Sequence, residues 1–240
     1  SGRMTKACGR RPKQTELVLI PSGRGGWRPG AGRKARPNAR VLHRRREAIP
    51  GHCPVHVTVR LQRGLPNLRR KRFVAAFRYS LAQCAERPGF RVVHYSIQHN
   101  HLHFLIEAQG KRALACGMKS LAARVARCVN RVFARRGSVL DGRYHHRLLR
   151  TPKQVRHALG YVLLNARHHY FERHRKPPPT TQLDPASSAV WFEGWRYPPW
   201  NQQPGDSARR MREVAPAATW LLTKGWRRHR LIDPAEIPGR

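Results

Sequence analysis

Between Arg91 and Ala108 the chain makes two β-type runs separated by His99-Asn100. Arg91-Val92-Val93-His94-Tyr95-Ser96-Ile97 is rich in β-branched and aromatic residues, and His101-Leu102-His103-Phe104-Leu105-Ile106-Glu107-Ala108 follows after the tight connection. Such a pair predicts a hairpin. Side chains alternate faces along a strand, so Leu102, Phe104 and Ile106 share one face while His101, His103 and, by parity, Glu107 share the other. One face therefore demands a hydrophobic partner, and the other carries two imidazoles side by side. Imidazole is the commonest metal-ligating side chain, and a strand fixes two of them without help from loops. Two histidines on a solvated strand face are the plainer alternative.

The flanking segments extend this hairpin into a sheet. His56-Val57-Thr58-Val59-Arg60-Leu61 alternates as a strand should. A helix is expected over roughly 69–86, opened near Asn67, with Phe73, Ala76, Phe77, Leu81 and Cys84 at helical spacing and Pro88-Gly89 as its stop. After Gly110 a second helix, 112–135, repeats Leu114, Met118, Leu121, Val125, Val129 and Val132 on one face. Arg124, Arg127, Arg131 and Arg135 form a stripe on another face, suited to phosphate or simply to solvent. Residues 138–149 read as one interrupted strand containing Arg143. The order β, α, β, β, α, β is the ferredoxin-like split arrangement: an α+β fold whose antiparallel sheet carries both helices on one face and leaves the histidine face free.

A third helix answers the histidines. Thr151-Pro152-Lys153-Gln154 offers an N-cap threonine, a proline at the first helical position and a glutamine at the third. The helix is expected to run to about 170, with Val155, Ala158, Leu159, Val162 and Ala166 as its packing face. Tyr161 lies off that face, and Asn165 sits one turn further on the same side. A phenol can attack a phosphodiester and conserve its bond energy in a covalent link. Two imidazoles and a carboxamide oxygen make an N/O ligand set for a divalent cation that polarises a phosphoryl oxygen, Mg²⁺ or, more tolerant of imidazole, Mn²⁺.

Composition points to the same partner. The 49 Lys+Arg against 12 Asp+Glu give a formal charge of +37, which requires a polyanion, and nucleic acid is the obvious one. Five scattered cysteines without a C-x-x-C pair disfavour a disulfide framework or a zinc ribbon, and Cys84, Cys116 and Cys128 read as small core residues. No apolar run approaches ~18 residues, so a soluble intracellular protein with no membrane partner is expected.

Asn100-His101-Leu102-His103, followed about sixty residues later by Tyr161-Val162-Leu163-Leu164-Asn165, resembles the single-tyrosine HUH transposases, in particular the REP-associated tyrosine transposase branch. The resemblance covers roughly 52–170. It implies an HUH/Rep-type palm with a C-terminal tyrosine-bearing helix. It further implies Tyr161 as the nucleophile that forms a 5′-phosphotyrosine and releases a 3′-OH. His101, His103 and Asn165 would be the ligands of Mg²⁺ or Mn²⁺, with Glu107 in their outer shell or paired to an arginine. The implied substrate is single-stranded DNA beside a hairpin, with a second copy of the chain as a candidate partner and the cytoplasm, at the nucleoid, as the location. Where the family branch carries Asn-Pro after the tyrosine turn, this chain has Asn165-Ala166, so the helix is expected to continue.

Three segments follow: a basic Gly/Pro/Arg-rich arm over 1–51, mostly disordered on its own; the catalytic domain over 52–175; and, over 176–240, a Pro linker with an extension that holds five of the six tryptophans. Arg28, Arg33 and Lys34 in the arm suit a minor groove or a phosphate backbone, or a plain basic linker. The tryptophans are expected to dock on the core in preference to stacking on bases. Tyr144 and Tyr170 are reserve nucleophiles without an amide one turn on. The main rival is a non-catalytic nucleic-acid-binding protein with a ferredoxin-like sheet, which would display aromatics on the open face where this chain displays His101 and His103. An acidic-triad nuclease has only Glu107 near the proposed site.

Overall fold

The computed structural model describes residues 47–199 and 211–239, so Arg28, Arg33, Lys34 and the rest of the N-terminal arm before 47 lie outside the described residues. Five strands form one antiparallel sheet: β1 (Val55–Arg60), β2 (Glu86–Arg87), β3 (Phe90–Ile97), β4 (His101–Ala108) and β5 (His145–Leu148), in the order β2-β3-β4-β1-β5. Four of these strands, β3, β4, β1 and β5, reproduce the expected split arrangement, and β2 adds a short edge. Helices α1 (Lys71–Ala82) and α2 (Lys111–Val132) fill the crossovers.

Strand alternation determines what covers each face. Val55, Val57 and Val59 of β1 and Leu102, Phe104 and Ile106 of β4 are buried in one core with Phe73, Phe77 and Leu81 of α1 and the apolar stripe of α2. Phe77 packs edge-on to Tyr95 at 5.7 Å between ring centroids. Gly117 of α2 is where the helix meets the sheet most closely: a Cβ there would lie 2.2 Å from Phe90 Cδ2.

The opposite face is not free. A second core joins Val93 and Leu105 of the sheet to Val155, Leu159, Val162 and Leu163 of α3 (Pro152–Leu163) and to Phe192, Leu222 and Trp226 of the C-terminal extension. A register shift between Val92 and His94 turns Val93 toward this second core. The extension is docked by polar anchors as well as apolar ones. Asp184 takes a two-pronged ion pair from Arg69 at 2.7 and 2.8 Å. Buried Glu213 accepts from the Tyr95 hydroxyl at 2.8 Å and from Trp191 Nε1 at 2.7 Å, beside Arg78 at 3.0 Å. Trp191 and Trp226 are buried, whereas Trp220 is about half exposed.

Several expectations are corrected. Pro88-Gly89 does not stop α1, which ends at Ala82. It turns the β2–β3 hairpin, with Gly89 at φ +71°. Cys116 is exposed on α2, while Cys84 and Cys128 are buried and burial pushes both thiols up. The helix expected over 152–170 is interrupted: α3 stops at Leu163 and α4 (Asn165–His174) starts anew. Leu164, at φ −109° and ψ +19°, donates back to the Gly160 carbonyl at 2.9 Å, and its own carbonyl accepts from Arg167 and His168 at 2.9 and 3.1 Å. Leu164-Asn165-Ala166 holds no helix breaker. The direction of α4 is tied instead to the extension, through buried Arg167, whose guanidinium holds the Thr180 and Ala235 carbonyls. Tertiary anchoring overrides propensity here. Among the described residues no helix is long and apolar enough to cross a membrane.

Two stability predictions follow from this packing. Gly117→Ala gains about 1 kcal/mol of helix propensity, yet overpacking against Phe90 costs about 1–3 kcal/mol. The urea midpoint is therefore expected to fall; a rise would mean that α2 shifts freely. His94 is buried, 3.1 Å from Ser188 Oγ, and burial, then Arg212, holds its pKa down to about 3. Between pH 6.5 and 3 the unfolded chain takes up a proton that the folded one refuses. Stability is therefore lost as pH falls, by up to ~1.4 kcal/mol per pH unit for this group. His94→Gln, followed by denaturant titration from pH 7 to 4, is expected to give a shallower decline by that one proton.

Candidate active site

The sheet and α3 converge at one end of β4. In the antiparallel register His103 lies opposite Thr58 and Ser96, and His101 opposite Arg60. His103 is almost wholly buried; its Nδ1 is 3.1 Å from Thr58 Oγ1 and 3.2 Å from His56 Nε2. Its Nε2 is buried and has no hydrogen-bond partner. His101 Nδ1 is 2.8 Å from Asn100 Oδ1, an acceptor, so Nδ1 carries the proton and Nε2 keeps its lone pair. The two rings meet edge-on at 4.8 Å. Each histidine is thus oriented through one nitrogen and left with the other to offer, as ligating histidines are.

Tyr161 comes from α3 onto the same face. Its ring lies 5.2 Å from that of His103 and 5.9 Å from that of His56. The break after Leu163 then brings α4 alongside, with His168 at 5.8 Å from Tyr161 and His169 at 6.3 Å from His101. Three imidazoles, from β1, β4 and α4, therefore flank the phenol, and His101 and His169 extend the cluster beyond them.

Asn165, the first residue of α4, is fully buried, and neither Oδ1 nor Nδ2 finds a hydrogen-bond partner. A buried amide in that condition costs about 1–3 kcal/mol unless a ligand satisfies it. His103 Nε2 and the Asn165 amide are both orphaned, on the elements expected to supply ligands. The unpartnered His103 Nε2, beside the His101 ring, has the chemistry to hold a cation.

Burial above all keeps His56, His101 and His103 neutral. Burial first, then Arg147, lowers the His56 pKa to about 4. Burial, then His169 and Arg60, lowers that of His101 to about 4. His103 is pushed lowest, to about 2, by burial and then by its histidine neighbours and Arg60. Neutral imidazole is the ligating form.

The arginines nearest this cluster are not those of the α2 stripe. Arg124, Arg127, Arg131 and Arg135 are carried on the other side of the sheet. Arg124 reaches back to the Ser80 carbonyl at 3.3 Å, and Arg135 holds Asn130 and the Ser138 carbonyl. Arg143 rims a smaller hollow with Arg60 and Tyr144 at the end of β1. Sequence reasoning missed Arg60, Arg147, Arg156 and His56. The polar alternation His56, Thr58, Arg60 between Val55, Val57 and Val59 was a signal for two of them. A cavity of about 490 Å³ opens beside Tyr161, lined by His56, Arg147, Arg156 and His157 and closed on one side by Glu236 and Pro238 of the extension. Glu236 is ion-paired with Arg156.

Glu107 is used elsewhere. Its carboxylate accepts from the backbone amides of Ala218 at 3.0 Å and Thr219 at 2.7 Å, with Arg91 4.0 Å away, so it anchors the start of α5 (Trp220–Thr223). Of the reserve nucleophiles, Tyr170 packs on His174 at 4.3 Å and Tyr144 lies beside His146 at 6.2 Å.

A solved structure of the REP-associated tyrosine transposase bound to a REP hairpin is 18% identical to this chain, covering 54% of it and 74% of that chain with a TM-score of 0.44. No curated protein matches. The family model described as "Transposase IS200 like" matches residues 52–150, a span that includes β1 through β5 and His101-Leu102-His103 and ends before Tyr161. Through that span the chain is similar to the IS200-like transposases.

Proposed function

We propose that this protein is a transposase that cuts and rejoins single-stranded DNA through Tyr161, in the manner of the REP-associated branch. The observation that carries this reading is the 5.2 Å approach of the Tyr161 ring to His103, on the sheet face that also bears His101. Had α3 packed on the α1/α2 side, no such chemistry would be available.

The phenolic oxygen attacks the scissile phosphorus in line with the 3′ oxygen. An O–P bond to tyrosine forms as the bond from phosphorus to the 3′ oxygen breaks. The phenolic proton passes to water or to a flanking imidazole, and the departing 3′ oxygen takes up a proton. Attack by a new 3′-OH on the phosphotyrosine reverses these steps and reseals the strand. A divalent cation, Mg²⁺ or Mn²⁺, held by His101, His103 and Asn165, would supply Lewis-acid polarisation of the phosphoryl oxygen. Thr58 and Asn100 orient the two imidazoles for that role. Arg60 and Arg147 supply positive charge beside the cluster, and the cavity next to Tyr161 gives an unpaired strand a place to enter. Recognition of a hairpin, pairing of two copies and work at the nucleoid belong to the same reading and follow from the family resemblance.

Labelled single-stranded DNA carrying a hairpin, incubated with the protein and Mn²⁺, is expected to yield a covalent protein–DNA adduct. Tyr161→Phe abolishes that adduct, and His103→Ala or chelator reduces it to background. An undiminished adduct in the Tyr161→Phe protein would move the nucleophile to Tyr144 or Tyr170. A protein that binds the DNA identically with and without metal and forms no adduct would be a binder without chemistry.

A further inference from the structure

His168 of α4 does more than border Tyr161. His168 and His169 both face Glu172, at helical spacings of four and three residues. His168 Nε2 lies 3.2 Å from one carboxylate oxygen and His169 Nδ1 lies 2.9 Å from the other. One ligand atom from each of the three residues falls within 4.8 Å of the other two. The opposite nitrogen of His168 is committed, because Nδ1 is 2.8 Å from the Pro238 carbonyl oxygen and must donate to it. The neutral His168 ring therefore turns a lone pair, not a proton, toward an anionic oxygen. That contact is repulsive unless a cation lies between, and the cation is either a second proton on the ring or a metal ion.

Geometry and chemistry favour the metal. Cation–ligand bonds of ~2.1 Å at right angles put neighbouring ligand atoms about 3.0 Å apart, close to the 2.9 and 3.2 Å that separate Glu172 from the two imidazoles. The Pro238 carbonyl fixes the His168 tautomer as a backbone carbonyl fixes that of a ligating histidine. As a plain surface ion pair the arrangement would contribute little to stability.

We propose that His168, His169 and Glu172 form a second divalent-cation site, distinct from His101, His103 and Asn165. Its ligand set of two imidazoles and one carboxylate takes a borderline ion such as Zn²⁺ or Mn²⁺ and leaves positions open. Because His168 lies against Tyr161 and His169 against His101, an ion held here would sit next to the Tyr161 and His101 rings. The site does not require Tyr161 to be a nucleophile.

The test uses the full chain carrying His101→Ala and His103→Ala, which removes the first set of ligands, titrated with Zn²⁺ and with Mn²⁺ alone by calorimetry. At least one of the two ions is expected to bind at one equivalent. Adding Glu172→Gln or His169→Gln should weaken that binding by about tenfold or more, while His174→Gln on the same helix leaves it within twofold. Circular dichroism and the thermal midpoint check that each variant is folded, and Glu172 is exposed enough for its replacement to be tolerated. Tyr161→Phe protein, in which adduct formation fails, should keep the site. Binding of neither ion to the His101→Ala/His103→Ala protein, or binding that Glu172→Gln leaves unchanged, overturns the proposal and makes the cation between His168 and Glu172 a proton.

Discussion

The pairing of β1 with β4 is the constraint on which the rest depends. Each strand alternates strictly, and the antiparallel register sets Thr58 opposite His103 and Arg60 opposite His101. A slip of one residue would exchange the faces, sending the imidazoles under α1 and α2 and the valines toward α3. The apolar contacts that hold the register are therefore also what hold His103 against Thr58. The site is as rigid as the core beneath it, because both are written into the same two strands.

The C-terminal extension is part of this construction. A chain with 12 acidic residues against 49 basic ones has few carboxylates to place. Asp184, Glu213, Glu236 and Glu107 all lie at the junction between the extension and the sheet-and-helix core, on Arg69, on Tyr95 with Trp191 and Arg78, on Arg156, and on the amides of 218–219. Charge-assisted bonds shielded from solvent are worth more than exposed pairs, and here they hold the tryptophan-bearing segment against β3, β4, α1 and α3. The consequence for the site is direct: Glu236 and Pro238 wall the cavity beside Tyr161, and Pro238 sets the tautomer of His168.

Local pattern made most of the sheet legible, because period-two alternation and capping signals are short-range. β4 matches its expected bounds, and Thr151 caps α3 by accepting from the Gln154 amide at 3.2 Å. Pro88-Gly89 misled because the same dipeptide ends a helix or turns a hairpin, and only the pairing of Glu86 with Arg91 decides between them. The break at Leu164 was illegible for a different reason. It is set by Arg167 reaching carbonyls 13 and 68 residues away, which no window of local sequence contains. His56 is legible in the same way as the sheet: parity along β1 puts it with Thr58, opposite His103, on the face that the histidines occupy.

The break changes how the candidate site has to be understood. In an unbroken helix Tyr161 and Asn165 would be successive points on one ridge, fixed relative to each other by helical geometry alone. Here Tyr161 lies in the last turn of one helix and Asn165 begins the next, so their separation is governed by what holds each helix. α3 is held by the sheet through Val155, Leu159 and Val162, and α4 by the extension through Arg167 and His168. A buried amide with no partner at the joint is the cost of that arrangement, borne where a polar ligand is expected. The phenol and the amide thus answer to different parts of the molecule, and the extension, through α4, takes part in shaping the site.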